Sequence, residues 1–423
     1  MRAIRRLAFA TVALLSWQSV VAMEVNFSGF GTIGYAISDK QYDYQRFIND
    51  DGTFMRDSLL GLQADVKFNN HWGATVQGVV AASEESDNSY DINARWAFVS
   101  YRPTNDWLFR AGKLRIGSFL NMQNMEVSTT YDMARLPAEV YSVAPVYDFT
   151  GLSINKTWYT DNLEINLEAV QGRTKSAWRQ YVSGSQEAKF LPIDIDVKGL
   201  MLSVNKDDDL YRLGWYRVDV ESTKEPHFTG SYTVIPNDPT IPGNPLAGLG
   251  GDLIIRNAVD RTTADVFTLG ADVHFDNGIR VMGEYARRLI DQVDTGPDTH
   301  AFHVNLSKNV GSWTPYLGYA KMWSGRDERR NWKKARDAIV PSTGGAMPAM
   351  DQAIAQGYQD LASAVYVYDQ NSVMLGAAYR IGATQKIKFE VMRTHIGETS
   401  SMVDGDVSND DVLVFSLSYT FAF

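Results

Sequence analysis

Apolar side chains recur at every second position through most of the chain, the period of a β-strand whose two faces meet different surroundings. In Leu60-Gly61-Leu62-Gln63-Ala64-Asp65-Val66-Lys67-Phe68 the even positions are apolar and the odd ones are Gly, Gln, Asp and Lys. Leu413, Phe415, Leu417, Tyr419, Phe421 and Phe423 alternate in the same way with Ser416, Ser418, Thr420 and Ala422. Comparable runs begin near Val25, Trp72, Ile92, Trp107, Gly151, Leu163, Val197, Leu210, Val266, Ile279, His300, Trp313, Val373 and Gln385, so the pattern predicts sixteen strands.

The links between these strands alternate in length. Segments 69–71, 103–106, 160–162, 207–209, 276–278, 309–312 and 382–384 are short and rich in Asn, Asp and Gly, as tight hairpins require. Between them lie longer links at 38–55, 83–89, 117–150, 173–195, 222–262, 291–298, 324–370 and 396–409. Short turns on one rim and long loops on the other is the pattern of an outer-membrane barrel, in which the turns are periplasmic and the loops extracellular. Lipid offers no hydrogen-bond partner to an open sheet edge, so such a sheet must close into an even, antiparallel ring. Sixteen strands satisfy that. Trp72, Trp107, Tyr159, Tyr211 and Trp313 stand beside the short turns, where the lower interfacial girdle of aromatics belongs. The predicted fold is therefore all-β, a transmembrane antiparallel β-barrel.

Composition narrows the function. The 423 residues include no Cys, which removes disulfide frameworks, thiolate metal sites and cysteine nucleophiles together. Arg2, Arg5 and Arg6 precede an apolar stretch from Leu7, and Val20-Val21-Ala22 has small-residue cleavage character, so residues 1–22 read as a signal peptide and 23–423 as the mature barrel. Without the three leader arginines, 37 basic residues face 50 acidic ones, a balance of −13 that argues against nucleic acid as a partner.

Three features carry this reading further: the first strand Phe27-Ser28-Gly29-Phe30-Gly31-Thr32-Ile33-Gly34-Tyr35, the long link after the fifth strand, and the ending Phe415 to Phe423. In these the chain resembles the Gram-negative outer-membrane porins of the sixteen-stranded, usually trimeric type. The resemblance implies passive diffusion of small hydrophilic solutes and ions through a water-filled channel, without enzymic chemistry or cofactor. It implies a homotrimer embedded in outer-membrane lipid and lipopolysaccharide. It also implies that Phe423 is the signal read by the barrel-assembly machinery, and that the third long loop, 117–150, folds into the pore and narrows it.

Other motifs give way to the strand pattern. Gly29-Phe30-Gly31-Thr32-Ile33-Gly34 fits a dinucleotide fingerprint, but alternation continues through Ile33, Tyr35 and Ile37 where a helix would have to begin. His300 and His303 are three apart and on a strand point to opposite faces, which argues against a metal pair. No nucleophile-elbow sequence is present to support a hydrolase barrel.

The expected constriction comprises the loop residues Glu126, Asp132, Arg135 and Glu139 opposed across the pore by Arg95, Lys113 and Arg115. Strand parity conflicts between Arg110 and Lys113, and the reading adopted turns Lys113 and Arg115 inward with Arg110 near the rim. Asp65, Lys67, Glu164, Glu168, Asp272, Arg280, Glu284, Arg288, Lys388 and Glu390 are expected to line the lumen as well. Link 222–262, with Pro226, Pro236, Pro239, Pro242 and Pro245, reads as a stiff irregular excursion, and 328–340 can form a basic helix that gathers anions or grips lipopolysaccharide phosphates. The function expected is a general channel with weak cation preference. Alternatives are a channel selective for an anion, sugar or carboxylate, an outer-membrane enzyme, and an adhesin or phage receptor.

Overall fold

A computed structural model describes residues 23–224, 228–244, 246–293 and 296–423; the expected leader, Pro226 and Pro245 lie outside the described residues. The alternating runs are all strands: β1 (Glu24–Ser38), β2 (Leu59–Lys67), β3 (Trp72–Ala82), β4 (Tyr90–Tyr101), β5 (Trp107–Arg115), β6 (Asp148–Tyr159), β7 (Glu164–Val182), β8 (Glu187–Lys206), β9 (Asp209–Ser222), β12 (Arg261–His274), β13 (Ile279–Asp291), β14 (Thr299–Lys308), β15 (Trp313–Ser324), β16 (Tyr368–Arg380), β17 (Gln385–Ser400) and β18 (Asp410–Ala422). Two further strands, β10 (Phe228–Pro236) and β11 (Asp252–Val259), form a separate hairpin. The other sixteen pair antiparallel with their neighbours around a closed ring, which β1 completes by pairing with both β2 and β18.

The period of two sorts the side chains. Phe27, Leu62, Ile92, Leu152 and Leu375 stand exposed on the outer face, whereas Thr32, Gln77, Ser153, Ser372 and Thr420 are buried on the inner one. Polar groups inside and apolar groups outside suit a wall between lipid and water. The aromatics expected beside the short turns are exposed there, and Trp72 and Trp313 pack on Tyr101 and Tyr379 with ring centroids 4.6 and 4.7 Å apart. His300 stacks on Trp323 while His303 is buried against Glu284, on opposite faces.

The glycines of β1 have a packing role. A Cβ on Gly29 would come within 2.4 Å of the Phe423 ring, and one on Gly31 within 2.7 Å of Phe421. Gly29 and Phe423 also exchange both backbone hydrogen bonds at 2.9 Å, so these rings cover the glycines where the first and last strands meet.

Three elements differ from expectation outside the lipid-facing belt. Link 173–195 is largely the upper part of the β7–β8 hairpin, paired as far as Val182 and Glu187. There Ile193, Ile195 and Val197 point in and are buried, while Arg173–Asp196 and Lys175–Asp194 pair on the exposed outer face. The outer face meets water at that height, so the polarity of the alternation inverts and the strand loses its signature. Link 222–262 contains the β10–β11 hairpin rather than being irregular; Pro236 closes β10, and Pro239 and Pro242 follow in the turn region. Link 324–370 holds α2 (Arg326–Arg336), shifted from the expected 328–340, and α3 (Pro348–Ser363), with proline at its first turn.

Gly112, Gly151 and Gly172 lie side by side on β5, β6 and β7. Gly112 has φ +133, a conformation that only glycine adopts readily, and a Cβ on Gly151 would lie 2.1 Å from the Gln171 carbonyl oxygen. This row brings the three strands close together just below the point where the chain leaves the wall.

Candidate channel interior

After Arg115 the chain leaves the wall, and it rejoins at Asp148; between these residues it runs inside the barrel. Phe119, Met122, Met133, Leu136, Val140, Tyr141 and Val143 are buried against inward residues of the far wall, among them Ile195, Val218, Val266, Met282 and Tyr316. That burial supplies a driving force for the loop to fold inward.

Polar contacts then fix it strand by strand. Thr268 Oγ1 donates to the Ser118 carbonyl at 2.8 Å, and Arg212 Nη1 to that of Phe119 at 2.7 Å. Glu284 accepts from the Leu120 amide at 2.6 Å and the Tyr141 hydroxyl at 2.9 Å, and His303 Nε2 lies 2.9 Å away. The Tyr316 hydroxyl accepts from the Ala134 amide at 2.9 Å and donates to Glu390 at 2.8 Å. Lys388 Nζ donates to the carbonyls of Ser128 and Met133 at 2.6 and 2.9 Å. Arg135 holds Asp57, at the foot of the first long loop, through two guanidinium nitrogens. The short helix α1 (Ala138–Tyr141) carries Glu139 into contact with Gln370 at 2.9 Å and with Ser372.

These contacts redistribute the residues expected at the constriction. Glu139 is fully buried against β16 and faces the wall, not the lumen. Asp132 also turns to the wall, 2.8 Å from Lys386 and 3.7 Å from Arg280. Glu126 does not oppose the cations across a gap but touches them, at 2.9 Å from Arg95 and 2.5 Å from Arg115. Arg95 adds Glu84 at 2.7 Å and Asp148 at 3.4 Å, and Lys113 meets Asp148 at 3.2 Å. Gln77 pairs with Trp96 and Gly78 with Ala94, which makes Arg95 the extra residue of a bulge.

Of the reading adopted for β5, the placing of Arg110 near the rim is overturned, while Arg115 is buried against the loop, with its guanidinium on the Met122 carbonyl at 3.2 Å. The β4–β5–β6 ladders run without a bulge, Arg110 opposes Ser100 and Ser153, and its guanidinium reaches Glu168 at 2.6 Å on the lumen side. Lys113 and Arg115 have the other parity. The last β4–β5 pair is Ala97 with Lys113, and beyond it these side chains meet Asp148 and Glu126 instead of lipid.

Among the expected lining residues, Asp65 bonds Gln63 and Thr75, Asp272 bonds Arg280, and Lys67 and Glu164 lie exposed at strand ends. Glu284 and Lys388 bond the third loop directly, as does Arg288, which donates to the Val143 carbonyl, and Glu390 reaches it through Tyr316. They hold the loop rather than facing free solvent.

Beside the loop lies a cavity of about 570 Å³, lined by Arg56, Asp57, Arg95, Glu126, Arg135 and Tyr147 and, toward the outside, by Arg46 and Arg179. Burial pushes the Asp57 carboxyl up, but Arg135 outweighs it and holds Asp57 below its ordinary value. Burial works to lower Arg135, and Asp57 raises it. Arg56 is lowered, by burial first and then by the charge of Arg135. Above the cavity Arg179 pairs with Asp87 at 3.0 Å and with Asp404, and Arg46 pairs with Asp87, linking three long loops and the β7–β8 hairpin over the mouth.

Arg56 and Asp57 were missed in the sequence because they fall between a loop and a strand, where no alternation assigns a face. Clustered basic and acidic residues in the first long loop were the only available signal.

No protein-family model matches the sequence, and no curated protein does. Solved structures do match. In-vitro folded OmpT of Vibrio cholerae, an outer membrane protein in its trimer form, is 13% identical over 95% of this chain and 100% of that one, with a TM-score of 0.52. An anion-selective porin from Comamonas acidovorans is 13% identical over 95% and 100%, with a TM-score of 0.50. The outer membrane channel DcaP of Acinetobacter baumannii is 12% identical over 96% and 100%, with a TM-score of 0.50. Each likeness is one of fold.

Proposed function

We propose that this chain, which has the closed sixteen-stranded barrel fold of the outer-membrane porins, is a water-filled outer-membrane channel for small hydrophilic solutes and ions. The observation that carries the reading is the third loop, folded inside the barrel and held to the wall from β9 round to β17 beside a charged cavity. Such an arrangement passes solutes without chemistry: polar groups and water replace the solute's hydration while the apolar outer face meets lipid. The reading includes a signal peptide at 1–22, a homotrimer in lipid and lipopolysaccharide, no enzymic activity, and Phe423 as an assembly signal. The trimer form of the Vibrio structure supports the homotrimer.

Asp132, Glu139 and Glu126 are each engaged at close range, which removes the acidic side that the expected cation preference required. The same contacts engage Lys386, Arg95 and Arg115, and Arg56 lines the cavity without an ion pair among the described residues, so we infer a preference for anions. Protein purified from outer membranes and added to planar bilayers is expected to give discrete current steps, in multiples of three if the trimer inserts as a unit, with a reversal potential in a KCl gradient of the anion-selective sign. A folded barrel that gives no current steps overturns the channel reading.

A further inference from the structure

We propose that Arg56 and Tyr147 form a binding site for small organic carboxylates inside the channel. This deepens, and rests on, the channel reading.

Every other arginine on the cavity wall already has its acceptors, Arg288 in the carbonyls of Pro297 and Val143 and the rest in carboxylates. Arg135 holds Asp57, Arg95 holds Glu84 and Glu126, and Arg46 and Arg179 share Asp87. Arg56 makes no hydrogen bond and no ion pair among the described residues, and its Nε is buried without an acceptor. A guanidinium enclosed in this way and left without an acceptor is costly unless something supplies one. The Tyr147 hydroxyl lines the same cavity within electrostatic reach of Arg56 and likewise has no hydrogen-bond partner among the described residues. Two donors are thus open to one space.

A carboxylate matches them. Its two oxygens can accept the paired N–H groups of a guanidinium in a fork and still accept a phenolic O–H. A spherical halide cannot use the fork. Phe47, Met55 and Met125 line the cavity as well, so the body attached to the carboxylate meets apolar surface. The cavity of about 570 Å³ has room for a molecule of benzoate size.

The test uses benzoate as the probe and benzyl alcohol as its neutral counterpart, in single-channel recordings with KCl. Benzoate is expected to reduce the chloride current saturably and benzyl alcohol to leave it unchanged. Loss of a charge-assisted fork in Arg56→Gln should raise the half-blocking concentration at least about ten-fold, and Tyr147→Phe about three-fold. Heat-modifiability on gels verifies that each barrel is folded; if Arg56→Gln does not fold, Tyr147→Phe and Arg56→Lys, which keeps the charge and loses the fork, decide. Equal block of wild type and these variants, or equal block by benzyl alcohol, overturns the site while leaving the channel intact. Folded protein without any conductance overturns the channel instead.

Discussion

Replacing Glu284 by alanine is expected to destabilise the barrel by about 3–5 kcal/mol and to widen its passage at the same time. Glu284 is 4% exposed and accepts from two parts of the third loop, the Leu120 amide at its start and the Tyr141 hydroxyl near its end, while also facing His303. Truncation leaves those groups buried and without an acceptor, and it frees both parts of the loop at once. Denaturant unfolding of the detergent-solubilised barrel should show a lowered midpoint, and single channels should show larger, noisier conductance. A variant with lower stability but unaltered conductance would mean that Glu284 supports the wall alone.

An effect of similar size is expected from Gly151→Val, which acts on the barrel before any channel exists. The new Cβ would lie 2.1 Å from the Gln171 carbonyl oxygen and 2.5 Å from the Gly172 Cα, and both obstacles are backbone. Overpacking that flexible side chains could relieve costs roughly 1–3 kcal/mol, so a clash with two backbone atoms should reach the top of that range or exceed it. The heat-resistant folded band should fall sharply in Gly151→Val membranes. Gly382→Ala, in a periplasmic turn with nothing within 4 Å, serves as the control and should leave the band at wild-type intensity.

The parts of the fold read correctly from the sequence are those where one physical contrast acts, lipid on one side and water on the other. Leu60 to Phe68 and Leu413 to Phe423 reveal their strands because the alternation in polarity mirrors that contrast. Above the membrane it disappears, and the same β7–β8 hairpin that is legible at Leu167 becomes illegible at Ile193 and Asp194. The interior was harder for a different reason. Residue type says that Glu139 and Asp132 are charged and that their loop is long, but not which side of the loop is turned to the wall; that depends on Gln370, Ser372 and Lys386, far away in sequence. Arg110 shows the same limit locally. Its parity was readable, but choosing it over that of Lys113 required the register with Ser100 and Ser153.

The central claim, that the third loop stands in the conducting path, can be tested by one thiol reaction, because the chain contains no cysteine of its own. Met125 lines the cavity from the loop and is half-buried, so Met125→Cys puts a single reactive group there. Adding a sulfonate-bearing methanethiosulfonate reagent during single-channel recording is predicted to lower the current in discrete steps that persist after washout and reverse only with reductant. Complete modification by mass, with the current unchanged, would contradict the account.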